Sequence, residues 1–120
     1  MSTSKQILYV QRRSPLAGAE AYESLEGAIL ARVFDQNVTV LFMDDGVYQL
    51  CEIDTHQLGM RNVNKLCASL GLYEIEQVYV SAKSLEQRGL LAEDLSIAAE
   101  AIPAKEISAL VSRHEIVISS

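Results

Sequence analysis

Short apolar runs alternate with segments of helical spacing along the whole chain. The run KQILYVQ at 5–11 is rich in β-forming residues, as expected of a buried strand, whereas Tyr22, Leu25 and Ile29 recur at helical intervals. The apolar runs predict five strands, at 5–11, 38–43, 76–80, 95–101 and 114–119. The helical spacing predicts four helices, over 19–34, 56–70, 82–88 and 103–113. The segment VYQLCEI, at 47–53, fits neither pattern.

The alternation of strands and helices predicts an α/β fold. Helical crossovers between successive strands favour a parallel sheet, and helices on both of its faces make a three-layer α/β/α sandwich. We therefore expect a mainly parallel five-stranded sheet in a single domain over 1–120, because no linker or repeat interrupts the pattern. Ligand sites in such folds lie at the carboxyl ends of the strands, which here are followed by QRRSPLAG, DDG and VSAKS.

Composition and charge narrow the classes of function. Hydrophobic residues make up 49% of the 120 residues, yet no apolar stretch approaches the ~18 residues that a membrane span needs. The polar start MSTSKQ does not resemble a secretory signal, so we expect a cytoplasmic protein without membrane contact. The net charge of −6 and the absence of a basic cluster disfavour direct binding to nucleic acid and favour a protein partner.

The two cysteines, Cys51 and Cys67, lack the spacing of a zinc or dithiol redox site. Cys67 shares the apolar side of a predicted helix with Leu66 and Leu70, which indicates a small core residue. Cys51 follows an apolar segment at a predicted turn, so its exposure is left open by the sequence. Of the two cysteines, Cys51 is the better candidate for a reactive thiol.

Ser81 stands where the third predicted strand meets a helix, a position typical of a nucleophile. A nucleophile elbow needs glycine two residues to either side of the serine, and here those positions hold Tyr79 and Lys83. The general base would have to be His56 or His114, and the latter is expected at the opposite end of the sheet. The pattern therefore disfavours a hydrolase.

Helix capping is the simpler role for Ser81, since a serine before a helix accepts a hydrogen bond from a free backbone N–H group. Ser84, which is followed by Gln87 in the spacing of a capping box, competes for that role.

Metal and phosphate sites find little support in the sequence. Asp44 and Asp45 follow the second strand, but a phospho-receiver magnesium site needs a third aspartate, and none follows Gln11 or Val80. The segment SPLAGAE lacks the GK[ST] of a phosphate loop, and Lys83 alone does not make an anion site. We expect no metal and no cofactor.

Four apolar or aromatic residues fall outside the confidently predicted elements. These residues are Val47, Tyr48, Leu50 and Tyr73. Such residues often line contacts between proteins, and they are the candidate interface residues of this chain. Folding back onto their own sheet explains the same pattern equally well.

The sequence also resembles a known family. FDQNVTVLFMDDGVYQL, LGMRN and LGLYEIEQVYVSAKSLEQRGL, in this order and spacing, are similar to the DsrE/DsrF-like family and within it to the DsrF/TusC branch. The similarity extends from ILYVQRRSPLAG to HEIVIS, nearly the whole chain, and the blocks DDGVYQL and SLEQRGL are fairly specific to this branch.

The resemblance implies a subunit of a heterohexamer that contains two copies each of three related chains. The expected partners are TusB-like and TusD-like subunits, or DsrH-like and DsrE-like subunits, with a TusE-like or DsrC-like sulfur carrier downstream. Such an assembly passes persulfide sulfur toward 2-thiolation of the tRNA wobble uridine in the first case. In the second case it serves the oxidation of sulfur.

The resemblance also implies a role for Ser81. The sulfur-carrying cysteine of the sister subunit follows the strand that corresponds to QVYV, and this chain has Ser81 there. A hydroxyl cannot hold sulfur as a persulfide, whereas a thiolate can. We therefore expect a non-catalytic subunit. The alternatives are a sulfurtransferase that uses Cys51 or Cys67, and a free-standing homo-oligomer.

Overall fold

The computed structural model describes residues 4–53 and 59–120, and it confirms the three-layer α/β/α architecture. The strands are β1 (Gln6–Gln11), β2 (Asn37–Phe42), β3 (Gln77–Ser81), β4 (Glu100–Ile102) and β5 (Ile116–Ser119). The helices are α1 (Glu20–Val33), α2 (Val63–Ala68), α3 (Ala82–Gln87) and α4 (Ala104–Ser112). Among the described residues, 3₁₀ helices span Asp44–Leu50, Leu70–Tyr73 and Ala92–Asp94. In the described part of the chain no helix has the length and apolar character that crossing a bilayer requires.

The predicted elements fall on observed ones, with two differences in extent. The fourth strand begins at Glu100 and not at Leu95, because the preceding residues form a 3₁₀ turn and an irregular segment. The helix predicted over 56–70 is observed as α2 alone, while 54–58 lie outside the described residues. The undecided segment after the second strand belongs largely to the Asp44–Leu50 3₁₀ helix.

All strand pairs in the sheet are parallel, in the order β4-β3-β2-β1-β5. The chain therefore proceeds strand by strand from β1 to β4 and then crosses back to place β5 beside β1. Because all strands are parallel, their carboxyl ends lie at the same end of the sheet. Ser81 is the last residue of β3 at that end. His114 precedes β5 and therefore lies at the amino ends of the strands, as the sequence predicted.

The two faces of the sheet carry unequal layers. Ile7 and Tyr9 of β1 belong to a large core that also contains buried residues of α1, α2 and α3. Leu8 and Val10 point to the other face, where a smaller core holds Leu110 of α4. This second face is covered by one helix, because only the return crossover from β4 to β5 runs over it.

Two of the predicted interface residues lie in the large core. Val47 and Leu50 are fully buried, which agrees with the alternative that these residues fold back onto their own sheet. The physical reason is the 3₁₀ helix, in which residues three apart share one side, so both side chains turn toward the sheet.

Gly46 lets this 3₁₀ helix lie directly against the end of β1. A Cβ atom at this position would overlap the Gln11 carbonyl oxygen and lie 3.0 Å from the backbone nitrogen of Arg12. Those atoms belong to the backbone and have little freedom to retreat. The close approach is held by the Met43 N–H, which donates to the Gln11 carbonyl at 3.0 Å.

Gly46→Ala should lower the free energy of unfolding by about 1–3 kcal/mol, because the added methyl group must push the 3₁₀ helix away from β1. The matched control is Gly71→Ala, whose Cβ would meet nothing within 4 Å. That change should shift stability by less than about 1 kcal/mol. Urea unfolding of both variants measures the difference, and equal effects would contradict the close-packing account.

Candidate functional site

Ser81 serves as the N-cap of α3. Its side chain is only 3% exposed, and its hydroxyl oxygen accepts a hydrogen bond from the Ser84 backbone N–H at 3.1 Å. Ser84, the competing candidate, instead turns its hydroxyl oxygen to the Asp44 backbone N–H, which donates at 2.9 Å. The two serines thus fasten α3 to β3 and to the neighbouring 3₁₀ helix, respectively.

No histidine of the described chain lies beside Ser81. His114 sits at the amino edge of the sheet, where its Nδ1 donates to the Leu110 carbonyl at 2.6 Å and its Nε2 lies 3.1 Å from Thr39 Oγ1. His56 lies outside the described residues. The arrangement therefore offers Ser81 no partner of the described chain that could accept its proton.

The two aspartates after β2 are bound to arginines from different elements. Asp44 accepts from Arg12 Nε at 2.9 Å, and Asp45 accepts from Arg88 Nη2 at 2.9 Å. Within 4–53 and 59–120 no group of three or more histidine, cysteine, aspartate or glutamate side chains is placed to hold a metal ion. The carboxylates instead tie the 3₁₀ helix to the end of β1 and to the end of α3.

A buried polar network, which the sequence analysis missed, lies at the carboxyl end of β1. Gln11 and Gln49 are both fully buried, and Gln11 Nε2 donates to Gln49 Oε1 at 3.1 Å and to the Ala21 carbonyl at 3.2 Å. Ser24 donates to Gln11 Oε1, and Gln49 Nε2 donates to the Arg13 carbonyl at 2.8 Å. Every polar atom of the two amides is used internally, so the network joins β1, α1 and the 3₁₀ helix and leaves no group for a ligand.

Burial raises the pKa of both thiols. Cys67 lies in the large core, and burial raises the pKa of its thiol to about 12. Cys51 is half-buried at the end of the 3₁₀ helix, where burial and, to a lesser extent, the Asp94 carboxylate raise its pKa. Because the thiolate is the form that attacks sulfur, burial disfavours the reactive form of both thiols.

Of the four interface candidates, Tyr73 is the one that belongs to the exposed apolar residues of the described chain. Tyr48 is half-buried, whereas Tyr73 is 42% exposed and has neighbours that the sequence analysis did not single out. Exposed apolar residues occur at the end of α1 and in the Leu70–Tyr73 3₁₀ helix, and the Arg32–Glu74 ion pair at 2.8 Å links the two segments. We term these residues the α1 patch: Leu30, Val33, Phe34, Leu72 and Tyr73. The signal in the sequence was Phe34, an aromatic residue directly before a polar turn.

A cleft of about 320 Å³ opens between the start of α1 and residues 59–63. Arg61 lies over the Tyr22 ring at 5.0 Å and pairs with Glu26 at 3.5 Å. Neither Cys51 nor Cys67 lines the cleft, so neither thiol acts there.

Ser81→Ala should lower the free energy of unfolding by about 1 kcal/mol, because the Ser84 N–H loses its only acceptor in a buried environment. Ser108→Ala is the matched control, since Ser108 is exposed on α4 and alanine favours a helix. Urea unfolding compares the two variants. Equal stability of Ser81→Ala and the wild type would exclude a capping role.

Asp94→Asn should speed the alkylation of Cys51 by iodoacetamide at neutral pH. Loss of the carboxylate charge lowers the pKa of the Cys51 thiol toward its ordinary value and increases the thiolate fraction, while Cys67 should stay unreactive in the folded chain. Peptide mass spectrometry measures both rates over time. A faster reaction of Cys67 than of Cys51 would contradict the burial described above.

The chain is similar to known proteins over most of its length. A model of the DsrE/DsrF-like family matches residues 5–119. The chain is 45% identical over 92 residues to the intracellular sulfur oxidation protein DsrF of Allochromatium vinosum, which covers 76% of this chain and 68% of that protein. It is 34% identical over 118 residues to a TusC homolog of Pseudomonas aeruginosa, which covers 97% of this chain and 98% of that protein.

The ychN protein from E. coli, known from a crystal structure, shares the fold with a TM-score of 0.79, over 97% of this chain and 99% of that one. Its sequence identity is 16%, so this likeness concerns the fold alone. The family match over nearly the whole chain and the relatives above establish that the chain belongs to the DsrE/DsrF-like family.

Proposed function

We propose that this chain is a non-catalytic subunit of a sulfur-relay complex. The observation that carries the proposal is the role of Ser81 at the carboxyl end of β3. Ser81 is buried there, and its hydroxyl oxygen caps α3. The family resemblance implies that a sister subunit has its sulfur-carrying cysteine at the corresponding position. The chain therefore organises the assembly, and a neighbouring subunit carries the sulfur.

The chemistry of sulfane transfer supports this division of roles. In such a transfer a thiolate attacks the outer sulfur of a donor persulfide, a new S–S bond forms, and the donor leaves as a thiolate. Ser81 offers only a hydroxyl, which is not ionised at neutral pH. Cys51 and Cys67 are the only thiols of the sequence, and burial raises the pKa of both.

The surface of the chain suits protein partners. The α1 patch places five large apolar side chains in solvent, with exposures from 42% to 85%. Its aromatic residues are of the type that anchors protein interfaces. The partners that we propose are TusB-like and TusD-like subunits in a heterohexamer, with a TusE-like carrier downstream. The net charge of −6 fits a cytoplasmic subunit that contacts proteins and leaves tRNA to a later enzyme.

The destination that we propose for the sulfur is the 2-position of the tRNA wobble uridine. The TusC homolog that matches almost end to end, over 97% of this chain, favours this pathway. The second candidate is the oxidation of sulfur with DsrE-like, DsrH-like and DsrC-like partners, which the higher identity of 45% to DsrF favours. Genes for dissimilatory sulfite reductase beside the gene of this chain would favour oxidation, and their absence would favour thiolation.

The purified chain, incubated with a cysteine desulfurase and cysteine, should gain no sulfur atom by intact mass spectrometry. The reason is that burial raises the pKa of both thiols, which lowers the fraction of reactive thiolate, and Ser81 cannot form a persulfide. A TusD-like subunit treated in parallel should gain one sulfur atom and serves as the positive control.

Sulfur on this chain would reject the non-catalytic role. If that sulfur is lost in Cys51→Ser and retained in Cys67→Ser, the chain is a sulfurtransferase that uses Cys51. Absence of co-purification with the two sister subunits would instead favour a free-standing homo-oligomer.

A further inference from the structure

The β5 strand forms an open edge of the sheet. It pairs with β1 on one side, and β5 is the last strand in the sheet order. All of its residues are exposed, including Ile116 at 38%, Val117 at 42% and Ile118 at 40%. Three consecutive large apolar side chains at a free strand edge are unusual, because such edges promote pairing with other chains.

The opposite edge of the sheet is protected in the usual ways. The β4 strand has only three residues, it begins with Glu100, and Pro103 follows it directly. Short length, charge and proline all discourage the addition of a further strand. The β5 strand is also short, with four residues, but it contains no charged residue and no proline, so the two edges differ in a way that favours pairing at β5.

The backbone groups on the open side of β5 can be assigned from its pairing with β1. Ser120 donates its N–H to the Val10 carbonyl at 3.1 Å, and successive residues of a strand direct their backbone groups to alternate sides. Ile116 and Ile118 therefore face β1. The N–H and C=O groups of Val117 and Ser119 face outward and have no strand beside them.

We infer that β5 pairs with β5 of a second copy of this chain, antiparallel and about a twofold axis at Val117. In this register Val117 lies opposite Val117 of the second copy, and their outward N–H and C=O groups bond reciprocally. Ile116 lies opposite Ile118 of the second copy. Every apolar residue of the strand thus meets an apolar residue on the same face of the joined sheet.

The charges next to β5 do not oppose a second copy as the occupant. The chain carries a net charge of −6, which opposes self-association through most of its surface. The strand itself has no charged residue, and the nearest one, Glu115, is paired with Lys5 at 3.6 Å. Glu115 would face Ser119 of the second copy, so no like charges are brought together. The inference rests on the edge strand and not on the proposed function.

The first test is the mass of the purified full chain by sedimentation velocity. The wild type should sediment as a dimer, and Val117→Lys should raise the dimer dissociation constant by about tenfold or more, because two lysines would face each other. Leu91→Lys is the matched control, since Leu91 is 60% exposed between α3 and β4, the strand at the other edge of the sheet, and should leave the dimer intact. A monomeric wild type, or a dimer insensitive to Val117→Lys, would overturn the inference.

Disulfide trapping in a Cys51→Ser background tests the register. Val117→Cys chains should form a covalent dimer on mild oxidation, since opposed residues of an antiparallel pair lie within reach of a disulfide. Ile118→Cys alone should not, because it lies opposite Ile116, but it should crosslink when mixed with Ile116→Cys chains. A covalent dimer of Ile118→Cys chains alone would overturn the proposed pairing. So would crosslinking through Val117→Cys that occurs only to a different chain added to the mixture.

Discussion

The close contact between Gly46 and the end of β1 is the constraint on which the structure at the carboxyl ends of the strands depends. It brings the Asp44–Leu50 3₁₀ helix against the backbone at Gln11, and only a residue without a side chain fits there. Once the helix is seated, Val47 and Leu50 complete the core, and Gln49 reaches the buried amide of Gln11. Core packing and the hydrogen bond between the buried amides therefore depend on the same contact, the junction of the 3₁₀ helix with β1.

This junction determines what this end of the sheet can do chemically. In α/β folds the carboxyl ends of the strands are where ligands and reactive groups gather. Here the end of β1 is filled by an internally satisfied amide network, the end of β2 carries aspartates bound to arginines, and the end of β3 carries a serine that caps a helix. The positions typical of a site are occupied by structural contacts, which is the arrangement expected of a subunit that organises partners.

The sequence predicted most of the elements because their apolar periods are regular, and it predicted the cap at Ser81 because the strand-to-helix junction is local. It did not predict the strand order, which depends on the long return from β4 to β5. It left Val47 and Leu50 undecided, although their spacing of three residues is that of a 3₁₀ helix. The buried amides of Gln11 and Gln49 could not be predicted, since their partners come from segments far apart in the chain.

The central claim, that this chain organises a relay without holding its cargo, is tested most directly in the assembled complex during turnover. The complex of this chain with its two sister subunits would be supplied with desulfurase, cysteine and acceptor, quenched by a thiol-alkylating reagent, and separated for intact mass measurement of every subunit. The account predicts persulfide sulfur on a sister subunit and none on this chain at any time. A sulfur atom that appears on this chain and passes to the acceptor at the rate of turnover would contradict it.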